Sequence, residues 1–185
     1  MPLKNLEKLV YQALAHHDQE NYEAAEILFL EALYKLDNKE NKCYQQIIYG
    51  LGINYSKQQN YDGARACFEE GRLNAQKAAN IPFELNMLHQ LVHLSRIMKY
   101  YEGTEVLVEE ALLYRKKHAP EDFIGFAATH YENGLNYFNW ERYELSKKQL
   151  ELALEYAKKD PEANNSVLTE IINTLTIVQK MRKSQ

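Results

Sequence analysis

Residues 48–71 read Ile48-Tyr49-Gly50-Leu51-Gly52-Ile53-Asn54-Tyr55-Ser56-Lys57-Gln58-Gln59-Asn60-Tyr61-Asp62-Gly63-Ala64-Arg65-Ala66-Cys67-Phe68-Glu69-Glu70-Gly71. Ile48, Leu51, Gly52 and Tyr55 are spaced by three and four residues or lie side by side, so they share one face of a helix. Gln58-Gln59-Asn60 then forms a polar turn, and Tyr61, Ala64, Phe68 and Gly71 share one face of a second helix. Small residues on both faces let the two helices approach closely. The stretch reads as an antiparallel helical hairpin.

The second half of this pattern occurs four times. It runs Tyr22, Ala25, Phe29, Ala32; then Tyr61, Ala64, Phe68, Gly71; then Tyr101, Thr104, Val108, Ala111; and last Tyr143, Ser146, Leu150, Ala153. The starting tyrosines are 39, 40 and 42 residues apart. A first-helix pattern precedes each one: Leu9, Gln12-Ala13 and His16; Ile48, Leu51-Gly52 and Tyr55; Leu88, Leu91-Val92 and Ser95; His130, Asn133-Gly134 and Tyr137. A period of this size marks a repeat architecture.

The paired patterns resemble the tetratricopeptide repeat, in which a large residue, Leu-Gly and Tyr on a first helix precede Ala, an aromatic and Ala on a second. The resemblance spans residues 3 to 159, and the second repeat fits best. It implies an all-α, right-handed superhelical stack of helix pairs in one domain, with repeats at about 3–39, 40–80, 81–118 and 119–159. The period of about 40 exceeds the usual figure of about 34. In that respect the chain is similar to kinesin light chains and to bacterial Rap-type and peptide-sensing regulators. Those regulators usually carry a DNA-binding helix-turn-helix domain ahead of the repeats, whereas this chain starts in its first repeat, so kinship would make it a stand-alone receptor or a piece of one.

Pro82, Pro120 and Pro161 stand where helices are expected to begin, since proline is tolerated in the first helical turn. Asp160 then serves as the expected N-cap of a ninth helix over 161–182. That helix would place Leu168, Ile171, Ile172, Leu175 and Val178 on one face and cap the last hairpin.

Composition narrows the function. With 7 Gly and 4 Pro in 185 residues, the chain has too few turn residues for an all-β fold. Its net charge is −4, and acidic and basic residues alternate along the chain up to the short basic tail Lys180-Met181-Arg182-Lys183, so no nucleic-acid partner is expected. No run approaches the roughly 18 apolar residues of a membrane span. Cys43 and Cys67 are expected to be reduced thiols of a cytoplasmic protein. Fourteen tyrosines suit half-packed, half-wet surfaces such as binding faces.

The resemblance implies that the first helices line a concave groove that takes a protein or peptide. Counting around each helix from the Leu-Gly positions gives Glu7, Val10, Leu14 and His17 for the first hairpin, then Gln46, Tyr49, Ile53 and Ser56. The third hairpin contributes Asn86, His89, His93 and Arg96, and the fourth Ala128, Tyr131, Leu135 and Phe138. The partner-binding set expected from these is Tyr49, Ile53, Asn86, His89, His93, Arg96, Tyr131, Leu135 and Phe138. Asn86 and Arg96 supply polar contacts to backbone or carboxylate, and the aromatics supply anchoring area. The chaperone-binding members of the family use Lys and Asn where this chain has Val10 and Leu14, so a chaperone tail is not the expected partner.

His89 and His93 stand four residues apart, a spacing that can share a metal. A hydrolytic site of this form also needs a glutamate where Gln90 stands and a third ligand, so neither a metal nor another cofactor is expected. No glycine-rich phosphate loop, Gly-x-Ser-x-Gly or paired-cysteine motif occurs. The reading is a non-enzymatic binding module, with a regulator or adaptor role following from the resemblance. A self-associating scaffold, such as a homodimer, is the alternative, and a metal-dependent enzyme at His89 and His93 the remote one.

Overall fold

The computed structural model describes residues 3–36, 38, 42–161 and 164–183. Among them are nine α-helices and no strand: α1 Leu3–Asp18, α2 Tyr22–Tyr34, α3 Lys42–Lys57, α4 Tyr61–Lys77, α5 Ile81–Ile97, α6 Tyr101–His118, α7 Phe123–Asn139, α8 Tyr143–Lys159 and α9 Asn165–Lys183. Within each of its two units, helices adjacent in sequence pack in a helical-repeat arrangement.

One three-residue turn is used five times. At its centre sits a residue with positive φ: Glu20, Gln59, Ala79, Lys99 or Glu141. In the second hairpin Gln59 donates its N–H to Ser56 O at 3.0 Å and Asn60 donates to Tyr55 O at 2.8 Å, which satisfies the last carbonyls of α3. The other four turns repeat this pair of bonds. Asn60 then caps the next helix by accepting from Gly63 N–H at 3.0 Å, so one helix ends and the next begins within three residues.

The chain divides into two compact units, Met1–Leu94 and Ser95–Gln185. In the first, α1 packs on α2, α2 on α3, α3 on α4, and α1 on α3. Leu6, Val10, Ala13, Phe29, Ile47 and Leu51 belong to its apolar core. Helix α3 accepts an aromatic ring on each of two glycines. A Cβ on Gly52 would stand 2.5 Å from Phe68, and one on Gly50 would stand 2.5 Å from Phe29. Fully burying each ring is worth about 1.5–3 kcal/mol. Asn54, wholly buried, joins successive hairpins by donating to Tyr22 O at 2.9 Å, and its Oδ1 lies 3.0 Å from His17 Nδ1.

In the second unit α6 packs on α7, α7 on α8 and α8 on α9. Gly134 repeats the role of Gly52, with Leu150 2.7 Å from where its Cβ would stand. Asn136 repeats that of Asn54, donating to Tyr101 O at 3.1 Å. Ser146 donates to Gly134 O at 2.7 Å. Leu150, Ala153 and Ala157 of α8 and Ile171, Leu175 and Val178 of α9 form a core cluster, which the final helix therefore covers. Ile172, expected on that face, is 47% exposed instead.

Two prolines act at the opposite end of a helix from the one expected. Ala119, before Pro120, has φ −146° and ψ 60°, and Asp160, before Pro161, has φ −82° and ψ 119°. The proline ring disfavours helical backbone in the residue ahead of it, so each proline stops the preceding helix. Asp160 is therefore the C-cap of α8 and not the N-cap of α9. The next helices start later, at Phe123 behind the cap Asp122 and at Asn165, with Asn164 accepting from Val167 N–H at 3.0 Å. Pro82 lies in the first turn of α5, as expected.

Candidate functional site

The first-helix residues of the first unit separate into two groups. Val10 is 2% exposed and Leu14 packs on the core, so neither forms an open wall. Tyr49 and Ile53 on α3 are half-buried, as are His89 and His93 on α5, while Gln46 and Asn86 are exposed. Tyr49 and Ile53 stand one turn apart, which follows from their four-residue spacing on the side of α3 away from Leu51 and Gly52. Burial pushes the Tyr49 phenol above its ordinary range, so it stays neutral and can both donate and accept. Helix α3 offers apolar area, and α5 offers imidazole and amide groups.

In the second unit the expected residues are engaged within the protein. Arg96 Nε donates to Glu132 Oε2 at 2.6 Å, with side chains 13% and 9% exposed. Its charge is met by a buried carboxylate within the protein. Tyr131 donates its hydroxyl to Glu170 Oε1 at 3.0 Å and lies 3.1 Å from Thr174 Oγ1, both on α9. Phe138 rests 5.8 Å from the Tyr143 ring and packs on the cluster that α9 completes. Tyr131 therefore ties α7 to α9, and Phe138 packs on α8. Leu135 is half-buried.

Helix α2 carries a surface that the sequence reading missed. Ile27, Leu30 and Tyr34 are 66%, 42% and 90% exposed and follow one another at spacings of three and four. The opposite face, Ala25, Phe29 and Ala32, fills the core. A signal was present in Ile27-Leu28-Phe29-Leu30, four consecutive apolar residues of which a helix can bury only part.

Other chemistry-bearing groups serve structure. His130 stacks on Tyr156 at 5.4 Å, and its Nδ1 lies 2.8 Å from Gln149 Oε1. Burial lowers its pKa below the ordinary histidine value, which holds it neutral. The Arg115 guanidinium, pulled down to about 10 by burial, pairs with Asp122 and crosses the face of Phe126. Cys67 is pushed up to about 11, so its buried thiol is not a nucleophile. A cleft of about 490 Å³ between α3 and α4 is lined by Gln45, Glu70, Asn74 and Lys77 among others, and Glu70 accepts there from the Tyr44 hydroxyl at 3.0 Å.

No protein-family profile matches the chain, and no curated protein matches it in sequence. Among solved structures it is similar to BtubC (BKLC) from P. vanneervenii, with a TM-score of 0.79 over 96% of this chain and 72% of that chain at 17% sequence identity. The likeness is one of fold. BtubC is a helical repeat protein, and this chain shares that architecture.

Proposed function

We propose that the chain is a tetratricopeptide-type repeat protein that binds a segment of another polypeptide and catalyses no reaction. The observation that carries the reading is the first-helix surface of the first unit, where Tyr49 and Ile53 stay half-exposed in the same unit as Asn86, His89 and His93. Extended peptides need apolar area for side chains and hydrogen-bonding groups for their backbone, and this surface supplies both. The buried free thiols of Cys43 and Cys67 suit a reducing, cytoplasmic setting.

A second location is favoured by the exposed stripe Ile27, Leu30 and Tyr34. Exposed apolar surface of this kind marks interaction sites. Affinity capture from the source cell, quantified by mass spectrometry, separates the two. A polypeptide enriched by the wild type should be lost with Tyr49→Ala and Ile53→Glu and retained with Tyr34→Lys. Loss with Tyr34→Lys alone moves the site to α2, and no difference among the variants defeats the reading.

A further inference from the structure

Helix α9 has an outward face that its own chain leaves uncovered. From Ile171 to Gln179 it carries no charged residue, yet only Ile171, Leu175 and Val178 of that run are buried. Ile172 and Ile177 are 47% and 52% exposed, and Asn173 and Thr176 are exposed as well. Solvated helix faces are ordinarily charged and polar, so an exposed face with this composition calls for a partner surface.

The order of residues along this face says which partner fits. Glu170, Asn173, Ile177 and Lys180 are all exposed and follow one another at spacings of three, four and three, the spacing of a helix-pairing seam. A shallow concavity runs along it, lined by α9 residues that include Ser166, Thr169, Asn173 and Ile177. The seam has the same spacing read in either direction and bears opposite charges at its two ends. Two copies placed parallel would oppose Glu170 to Glu170 and Lys180 to Lys180. Placed antiparallel, each Glu170 meets Lys180 of the second copy and each Asn173 meets Ile177, so both ends attract. Glu170 already accepts the Tyr131 hydroxyl through Oε1, which fixes the carboxylate in place.

We propose that α9 is a self-association surface on which two copies of this chain pair antiparallel about a two-fold axis between Asn173 and Ile177. The contact is isologous, so it closes at a dimer. A single helix pair falls at the small end of interface sizes, so the dimer is weak and its population rises with concentration. This assignment is independent of the partner-binding surface on α3 and α5.

Sedimentation velocity of the full chain across a wide concentration range tests it, with melting curves measured on each variant to establish folding. The wild type should shift from monomer to dimer as concentration rises, and Ile177→Glu should stay monomeric at every concentration. Glu170→Lys and Lys180→Glu, each alone, should weaken the dimer, and the two together in one chain should restore it. Glu69→Gln, at an exposed position of α4, should leave the dimer intact. A wild type that remains monomeric throughout overturns the proposal. So does a dimer indifferent to Ile177→Glu, or one that the double charge reversal fails to restore.

Discussion

The two units carry the same hairpin signature on different interiors. Among the described residues, Asn54 and Glu84 are the buried polar or charged groups of the first unit, whereas the second buries nine, including Arg115, His130, Glu132, Asn133 and Asn136. The first is held by aromatic rings seated on glycines, and the second also by a polar network. The matched asparagines show the contrast within one motif. Asn54, in Gly52-Ile53-Asn54-Tyr55, uses both ends of its amide, while Asn136, in Gly134-Leu135-Asn136-Tyr137, leaves Oδ1 without a protein partner. The same register can thus be stabilised by apolar packing, which is indifferent to pH, or by buried charge and hydrogen bonding, which is not.

The strongest attempt to break this comparison is Arg96→Glu. It sets a second carboxylate against Glu132, and disrupting a buried pair costs about 3–5 kcal/mol. The single tryptophan, Trp140, stacks on Tyr101 at 5.4 Å in the second unit, so its fluorescence follows that unit during urea unfolding. Its midpoint should fall sharply. An unchanged midpoint would show that the pair contributes nothing to folding.

Gly52→Leu comes next. It drives a side chain into the Phe68 ring, and overpacking of this kind costs about 1–3 kcal/mol. Circular dichroism melting should show early loss of helix from the first unit, with the Trp140 signal less affected. A melting curve identical to wild type would mean that the α3–α4 contact is looser than its geometry.

Asn54→Ala and Asn136→Ala sharpen the contrast further. Loss of a buried hydrogen bond costs about 0.5–1.5 kcal/mol, and a stranded polar partner adds to it. Asn54→Ala strands His17 and removes one of the two side-chain donors to Tyr22 O, Gln58 being the other, so it should destabilise more than Asn136→Ala. The reverse order, measured in urea, would overturn the matched roles.

The smallest expected effect is on pH dependence. Burial lowers the His130 pKa in the folded state below its ordinary value, so folding favours the neutral ring. The resulting stability is present above the unfolded pKa and is lost as pH falls through the folded one. Acidification from about pH 7.5 to 5.5 should lower the Trp140 unfolding midpoint, and His130→Phe should flatten that slope. An equal slope in the variant would assign the pH response elsewhere.

The helices and their pairing were legible because Gly52, Phe68, Gly134 and Leu150 keep helical offsets that survive changes in residue type. The turns were not. Their left-handed centres are Glu20, Gln59, Ala79, Lys99 and Glu141, and the usual signal at such positions is glycine. Pro120 and Pro161 were placed one helix end too late because their effect falls on the residue before them. Within the candidate site, Tyr49, Ile53, His89 and His93 are half-buried. The Arg96–Glu132 pair was not legible, because Glu132 lies 36 residues away in sequence. The bonds of Tyr131 to α9 were not legible either, because Glu170 and Thr174 lie 39 and 43 residues away in sequence.

Site-specific photocrosslinking in the source cell tests the functional claim most directly. A photoreactive phenylalanine analogue replaces Tyr49 in one sample and Glu69, an exposed residue of α4, in another. Position 49 should yield a discrete crosslinked polypeptide that disappears with Ile53→Glu, and position 69 should not yield it. Equal crosslinking from both positions, or a product at 49 that Ile53→Glu leaves untouched, would contradict partner binding on the first-helix surface.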